Sequence, residues 1–195
     1  TILPPLTEEE SLTVTAVPSV AGSLRDGLVR ERPFRAPHHT LSGVALLGGG
    51  DPIRPGEMSL AHHGVLFLDE LLEFPRHVLE GMRQPLEDGV VTICRSRARA
   101  TYPARPLLIA AVNPCPCGYY GSGARTCTCT LSAIRRYQSK LSGPLLDRID
   151  LQLPLPAVKL DDLTGQAAGE SSEAVRARVV AARQVQQERA RRGET

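Results

Sequence analysis

The stretch Val65-Leu66-Phe67-Leu68-Asp69-Glu70 decides how this chain is read. Four consecutive apolar residues are too few for a helix, and they predict a strand buried on both faces, as in a parallel sheet. Two adjacent carboxylates at the end of such a strand are badly placed unless something uses them. In a parallel α/β sheet the carboxyl edge is where ligands bind, and one acid there can orient a magnesium ion while its neighbour polarises a water. A competing reading makes both acids structural: Asp69 caps the next helix and Glu70 lies in its first turn, where negative charge is favourable.

Elements on either side of the acidic strand alternate. Thr7 followed by Glu8, Glu9 and Glu10 predicts a helix start with a capping box from Thr7 to Glu10, and Pro18 to Gly22 closes that helix. The segment from Arg32 to Gly56, rich in Pro, Gly and His, reads as loop and hairpin with Gly48, Gly49 and Gly50 at a turn. Downstream, Pro75 opens a helix carrying Leu79, Met82 and Leu86 at helical spacing, which Gly89 ends. Val90 to Thr101 predicts a hairpin, Leu107 to Val112 a second buried strand ending in Asn113-Pro114, and Ile149 to Leu155 a third. Residues 159–170 read as a linker, and Ser171 to Arg192 as a helix with Val175, Val179, Ala182 and Val185 on one face.

With 195 residues the chain can build one α/β domain and a piece of another. Its formal charge of +2 excludes a strong overall basic field, so any nucleic-acid contact must be local. No apolar stretch approaches the roughly 20 residues that span a bilayer, and Thr1 to Glu10 lacks the basic start and apolar centre of a signal peptide. The expectation is a cytoplasmic protein without membrane contact.

Four strings carry a family resemblance: Arg32-Pro-Phe-Arg-Ala-Pro-His-His39, the segment from Pro55 to Leu71 that contains the acidic strand, Tyr102-Pro-Ala-Arg105, and Leu141-Ser-Gly-Pro-Leu-Leu-Asp-Arg-Ile-Asp150. They resemble the AAA+ ATPase core of the magnesium-chelatase-like competence protein ComM family, over most of the chain. The resemblance implies an α/β fold: a P-loop-type parallel sheet flanked by helices, with inserted β-hairpins, an ATPase core over residues 1–158 and the start of a helical lid over 171–195. It implies ATP and magnesium as cofactors, with Asp69 holding the metal and Glu70 orienting the attacking water in a Walker B pair. Asn113 takes the place of the sensor that contacts the γ-phosphate. Arg148 takes that of the arginine finger, reaching into the next subunit of a homo-oligomeric, hexameric ring. Read locally, Asn113 is a turn residue before Pro114, and Arg148 an exposed ion pair with Asp147 or Asp150.

The chain contains no G-x-x-x-x-G-K-[ST] loop to cradle phosphates, and Gly48-Gly49-Gly50 has no lysine after it. The family places that loop just upstream of the segment matching Thr1 to Thr7. The expectation is therefore a fragment that lacks the core strand and Walker A loop preceding it, and that does not hydrolyse ATP alone.

Cys115-Pro-Cys117 and Cys127-Thr-Cys129 form two C-x-C pairs separated by nine residues. Four thiolates brought together in a short loop suit tetrahedral zinc. Unligated thiols and redox pairs are the alternatives, and the spacing is not the C-x₂-C of common zinc ribbons. Cys94 stands apart and reads as an ordinary buried thiol. Arg95, Arg97 and Arg99 alternate, so in an extended segment they project from one face and can meet the phosphates of DNA. A solvated hairpin or subunit contact fits them as well. His38, His39, His62 and His63 read as packing or hydrogen-bonding residues near the nucleotide, since adjacent histidines point in different directions. Three functions remain open: an ATPase that remodels or translocates on DNA in ComM-like branch migration, the ATPase subunit of a magnesium chelatase, and a non-catalytic zinc-stabilised binding module.

Overall fold

The computed structural model describes residues 1–25, 27–96, 98–123, 125–156 and 169–193. Helix α1 (Glu8–Ala21) starts at the capping box: the Thr7 amide donates to Glu10 Oε2 at 3.0 Å and the Glu10 amide to Thr7 Oγ1 at 3.1 Å. It stops at Gly22, whose φ of 71° is the left-handed conformation that glycine adopts without a Cβ clash.

The segment read as loop and hairpin contains more order than its Pro and Gly content suggests. It holds strand β1 (Phe34–Arg35), helix α2 (Gly43–Leu47) and the predicted hairpin of β2 (Gly48–Gly49) and β3 (Arg54–Pro55), followed by helix α3 (Glu57–Leu60). The acidic strand is β4 (Val65–Leu68), with Val65, Leu66 and Leu68 buried. A 3₁₀ turn (Leu71–Glu73) leads to helices α4 (Arg76–Gly81) and α5 (Arg83–Asp88). These replace the single helix expected there: Pro85 has no N–H to offer the Gly81 carbonyl, so the helical ladder breaks at Met82. Strands β5 (Val90–Arg95) and β6 (Ala98–Pro103) form the expected antiparallel hairpin, and β7 (Leu107–Ala110) follows. Helices α6 (Leu131–Gln138) and α7 (Gly143–Leu146) precede a final helix, Ser172–Arg192.

The central sheet has the order β1-β4-β7 and is parallel throughout. Leu66, Leu68, Leu71, Phe74, Leu79 and Leu145 are fully buried against its helices. Burying each such side chain contributes about 1.5–3 kcal/mol. The entry into β4 is tight: a Cβ on Gly64 would lie 2.0 Å from the Pro33 carbonyl oxygen, so only glycine lets β1 and β4 approach here. Arg32 fixes the same corner, donating to the Pro4, Pro5 and His63 carbonyls and to Glu10.

Two strand expectations need correction. Strand β7 exists, but only one of its faces packs on the core: Leu108 and Ala110 are partly buried there, whereas Leu107 and Ile109 are 50% and 44% exposed. Residues 149–155 form no strand, and Leu151, Leu153 and Leu155 are 79%, 77% and 89% exposed. A strand persists only when a neighbour takes up its N–H and C=O groups, and among the described residues none lies beside this segment. Of the predicted linker, residues 159–168 lie outside the described residues. The final helix is capped by Ser171 and buries none of its residues.

Candidate functional site

Strands β4 and β7 are parallel and in register, with Leu68 opposite Ala110. Beyond them the Ala111 amide donates to the Leu68 carbonyl and the Leu71 amide to the Ala111 carbonyl, both at 3.0 Å. These two bonds bring Asp69, Glu70 and Asn113 to one carboxyl edge of the sheet, where all three residues are exposed.

Asp69 does not cap the following turn through its second or third residue; its Oδ1 accepts from the Glu70 amide at 2.8 Å. Glu70 does not lie within that turn either. It precedes it with φ 50° and ψ 46°, a left-handed conformation that costs a non-glycine residue about 1–2 kcal/mol. Its carbonyl accepts from the Glu73 amide at 2.7 Å, which helps hold the conformation. Strain of this kind, held in place by its surroundings, is characteristic of functional positions.

His39, whose role as a neighbour of Glu70 the sequence does not disclose, places Nδ1 3.1 Å from Glu70 Oε2. It stacks beside His38 and presents its ring to Phe74 in an edge-on contact. Its position follows from β1, the two-residue strand beside β4, which is too short to show periodicity. Within reach of the Glu70 charge lies a second cluster without a sequence signal. Lys140 donates to the Leu72 carbonyl, stands 3.8 Å from Glu73 and sits over the Tyr137 ring. Burial first, and then the Glu73 carboxylate, push the Tyr137 hydroxyl up to about 12.

At the opposite end of β4, His62 is buried and accepts the Arg105 amide at Nδ1 over 3.1 Å, which leaves its proton on Nε2. Burial, then the charges of His63 and Arg105, hold it down to about 4. Burial pushes the Glu10 carboxyl up, but the Thr7 amide and Arg32 outweigh that and hold it below the usual range. His62 and His63 are thus packing and hydrogen-bonding residues away from the carboxyl edge.

Arg148 pairs with neither Asp147 nor Asp150. It contacts Glu87 of α5 at 2.8 Å, with both side chains well exposed. Exposed pairs of this kind contribute about 0–1 kcal/mol, so Arg148 can exchange this partner at little cost.

The four loop cysteines come together. Cys115 Sγ lies 3.3 Å from Cys117 Sγ and 3.7 Å from Cys127 Sγ, Cys117 and Cys127 are 3.6 Å apart, and all four sulfurs fall within 4.8 Å of one another. Tetrahedral sulfur ligands at about 2.3 Å from an ion are separated by about 3.8 Å. The cluster therefore has the donors and the dimensions of a metal site. Backbone N–H groups of Tyr119 and Thr128 hold the Cys117 thiol down to about 6.

The arginine hairpin departs from expectation. The reading that puts Arg95, Arg97 and Arg99 on one face assumes a continuous extended segment, but the chain reverses between Arg95 and Ala98. Arg99 is paired with Cys94, on the face with Thr92 and Thr101, whereas Arg95 is paired with Ala98, on the face of Val91 and Ile93. Residues paired across a ladder share a face and successive residues alternate, so Arg95 and Arg99 point to opposite sides. Arg97 lies outside the described residues. Cys94, expected to be buried, is exposed on the outer face.

A parallel α/β sheet with adjacent acids after one strand and an amide after the next places this chain in the AAA+-type class. Residues 1–163 match the family described as magnesium chelatase, subunit ChlI, and the chain belongs to that family. It is similar to the uncharacterized protein YifB of Salmonella typhimurium, with 47% identity over 192 residues. It is equally similar, at 47% over 193 residues, to the competence protein ComM of Haemophilus influenzae, and at 47% over 191 residues to an uncharacterized protein of Mycobacterium tuberculosis. These matches cover 96%, 97% and 96% of this chain, which spans 37% of the length of each relative. No helix among the described residues is long and apolar enough to cross a membrane.

Proposed function

We propose that this chain is the core portion of a cytoplasmic, ring-forming ATPase that couples ATP hydrolysis to the remodelling of DNA or movement along it. The observation that carries the reading is the convergence of Asp69, Glu70 and Asn113 on one open carboxyl edge of a parallel sheet. These hard oxygen donors suit a magnesium ion, and magnesium-bound ATP supplies the transferable phosphoryl group. Asp69 holds the ion. Glu70 orients a water, with His39 steadying its carboxylate between turnovers. Asn113 binds the terminal phosphate, and Arg148 leaves Glu87 to neutralise charge at the site of the next subunit. The phosphate-cradling loop, for which this sequence has no candidate, belongs to the rest of the complete protein. In the cysteine loop the reading adds structural zinc.

For DNA the support is narrower: Arg99 on the outer face of the hairpin, and a relative named for competence. The family's own description favours a second reading, the ATPase subunit of a magnesium chelatase. Stimulation of the complete protein's ATPase by branched DNA selects the first; response only to a chelatase partner selects the second.

Mixed rings test the ATPase reading itself. Arg148→Ala should lower hydrolysis by about three to five orders of magnitude, as loss of an arginine finger does. Glu70→Gln should be inactive as well. Mixing the two variants should restore hydrolysis, because some interfaces then combine an intact Glu70 with an intact Arg148. Mixed rings as inactive as the separate variants would reject a shared site.

A further inference from the structure

We propose that the four-cysteine metal centre is the anchor that sets the position of Asn113, so that one zinc-type divalent ion connects the cysteine loop to the nucleotide edge. The inference rests on the reading of Asn113 as part of that edge, and adds what holds it there.

The last ladder bonds of the β7 segment are made at Ala111. Beyond it, the next fixed point is Cys115, which is fully buried although its neighbours Pro114 and Pro116 are exposed. Asn113 therefore spans a short bridge between a strand end and a metal ligand. Across this bridge one side-chain bond supports the backbone, from Gln138 Nε2 of α6 to the Pro114 carbonyl at 3.1 Å.

The loop also folds back onto Asn113. The Gly118 amide donates to the Cys115 carbonyl at 2.9 Å, closing a turn around Cys117, and a Cβ on Gly118 would lie 4.0 Å from Asn113 Oδ1. The turn that carries two of the thiol ligands thus lies alongside the exposed Asn113 side chain. The second pair, Cys127 and Cys129, lies just before α6, where Thr130 caps the helix by accepting the Ala133 amide. One ion bound by all four sulfurs ties the end of β7 to the start of α6, and Asn113 lies at that joint. Soft thiolate donors in a tetrahedral set select zinc over the hard magnesium ion of the carboxyl edge. Binding releases the thiol protons to solvent and supplies order that a loop of glycines and prolines cannot supply by packing.

The test measures metal content and hydrogen exchange in the full-length protein purified without chelator. About one zinc per chain is expected, and cobalt replacing it should show thiolate-to-metal absorption. Cys129→Ser should lose the ion and Cys94→Ser should keep it. Stripping the ion should raise exchange about tenfold or more at the amides of Val112, Asn113, Cys115, Cys117 and Gly118, leave those of β4 unchanged, and be reversed by added zinc. Failure to bind zinc or cobalt overturns the centre. Bound zinc with unchanged exchange around Asn113 overturns the bracing, as does exchange that rises equally in β4. Neither readout requires hydrolysis, so failure of the centre and failure of the ATPase reading are told apart.

Discussion

The carboxyl edge of the sheet and the cysteine loop meet at Asn113, two residues before Cys115, and are built by opposite means. At the edge, backbone hydrogen bonds and a buried leucine core position the exposed Asp69 and Glu70. In the loop, Cys115 is the buried residue, and the arrangement is defined by sulfur atoms 3.3 to 3.7 Å apart. One region is held by the fold and presents chemistry; the other has the chemistry that can hold a fold. Asn113 stands at their boundary and depends on both.

The largest effect that tests this contrast is on stability. Leu68 is fully buried beneath the edge, so Leu68→Ala should cost about 2–5 kcal/mol in denaturant unfolding. The metal content of the folded protein should stay unchanged; loss of metal with the core defect would show that the two regions are one. Next comes Asn113→Ala, which should lower hydrolysis about 10²–10³-fold, as removal of one preorganised polar contact does, with thermal stability and metal content intact. A fall in stability instead would make Asn113 a structural turn residue.

Acid provides the third test. His62 titrates near 4 in the folded protein against about 6.5 in the unfolded chain, so the unfolded state takes up the proton first. Its contribution to stability is complete above pH 6.5 and is lost as pH falls toward 4, on the order of 3 kcal/mol in total. Unfolding measured between pH 7 and 4 should show this slope, and His62→Gln should flatten it. An unchanged slope in that variant would place the acid sensitivity elsewhere.

The contrast also explains what was legible in the sequence. The Thr7–Glu10 capping box, the Gly22 stop and the acidic end of β4 depend on near neighbours, and each stands where local pattern puts it. The cysteine spacing was legible for the same reason, since four thiols within fifteen residues can hardly avoid one another. What failed depended on partners distant in sequence or on the placing of a turn. Residues 149–155 have strand composition but no neighbouring strand among the described residues, and β1 is a strand only because β4 lies beside it. Arg95 and Arg99 alternate in sequence, yet a reversal between them sends them to opposite faces. The four histidines read alike in sequence, as packing or hydrogen-bonding residues near the nucleotide; that His39 meets Glu70 while His62 and His63 lie at the other end of β4 arises from where β1 ends.

The central claim, that the β4 edge orients the hydrolytic water, is tested most directly by single-turnover hydrolysis in the full-length protein carrying Glu70→Gln. The variant should bind ATP as tightly as the unmodified protein and hydrolyse it about two to four orders of magnitude more slowly. Hydrolysis of the bound ATP at the unmodified rate would contradict the assignment of Glu70, and with it the reading of this edge as the catalytic one.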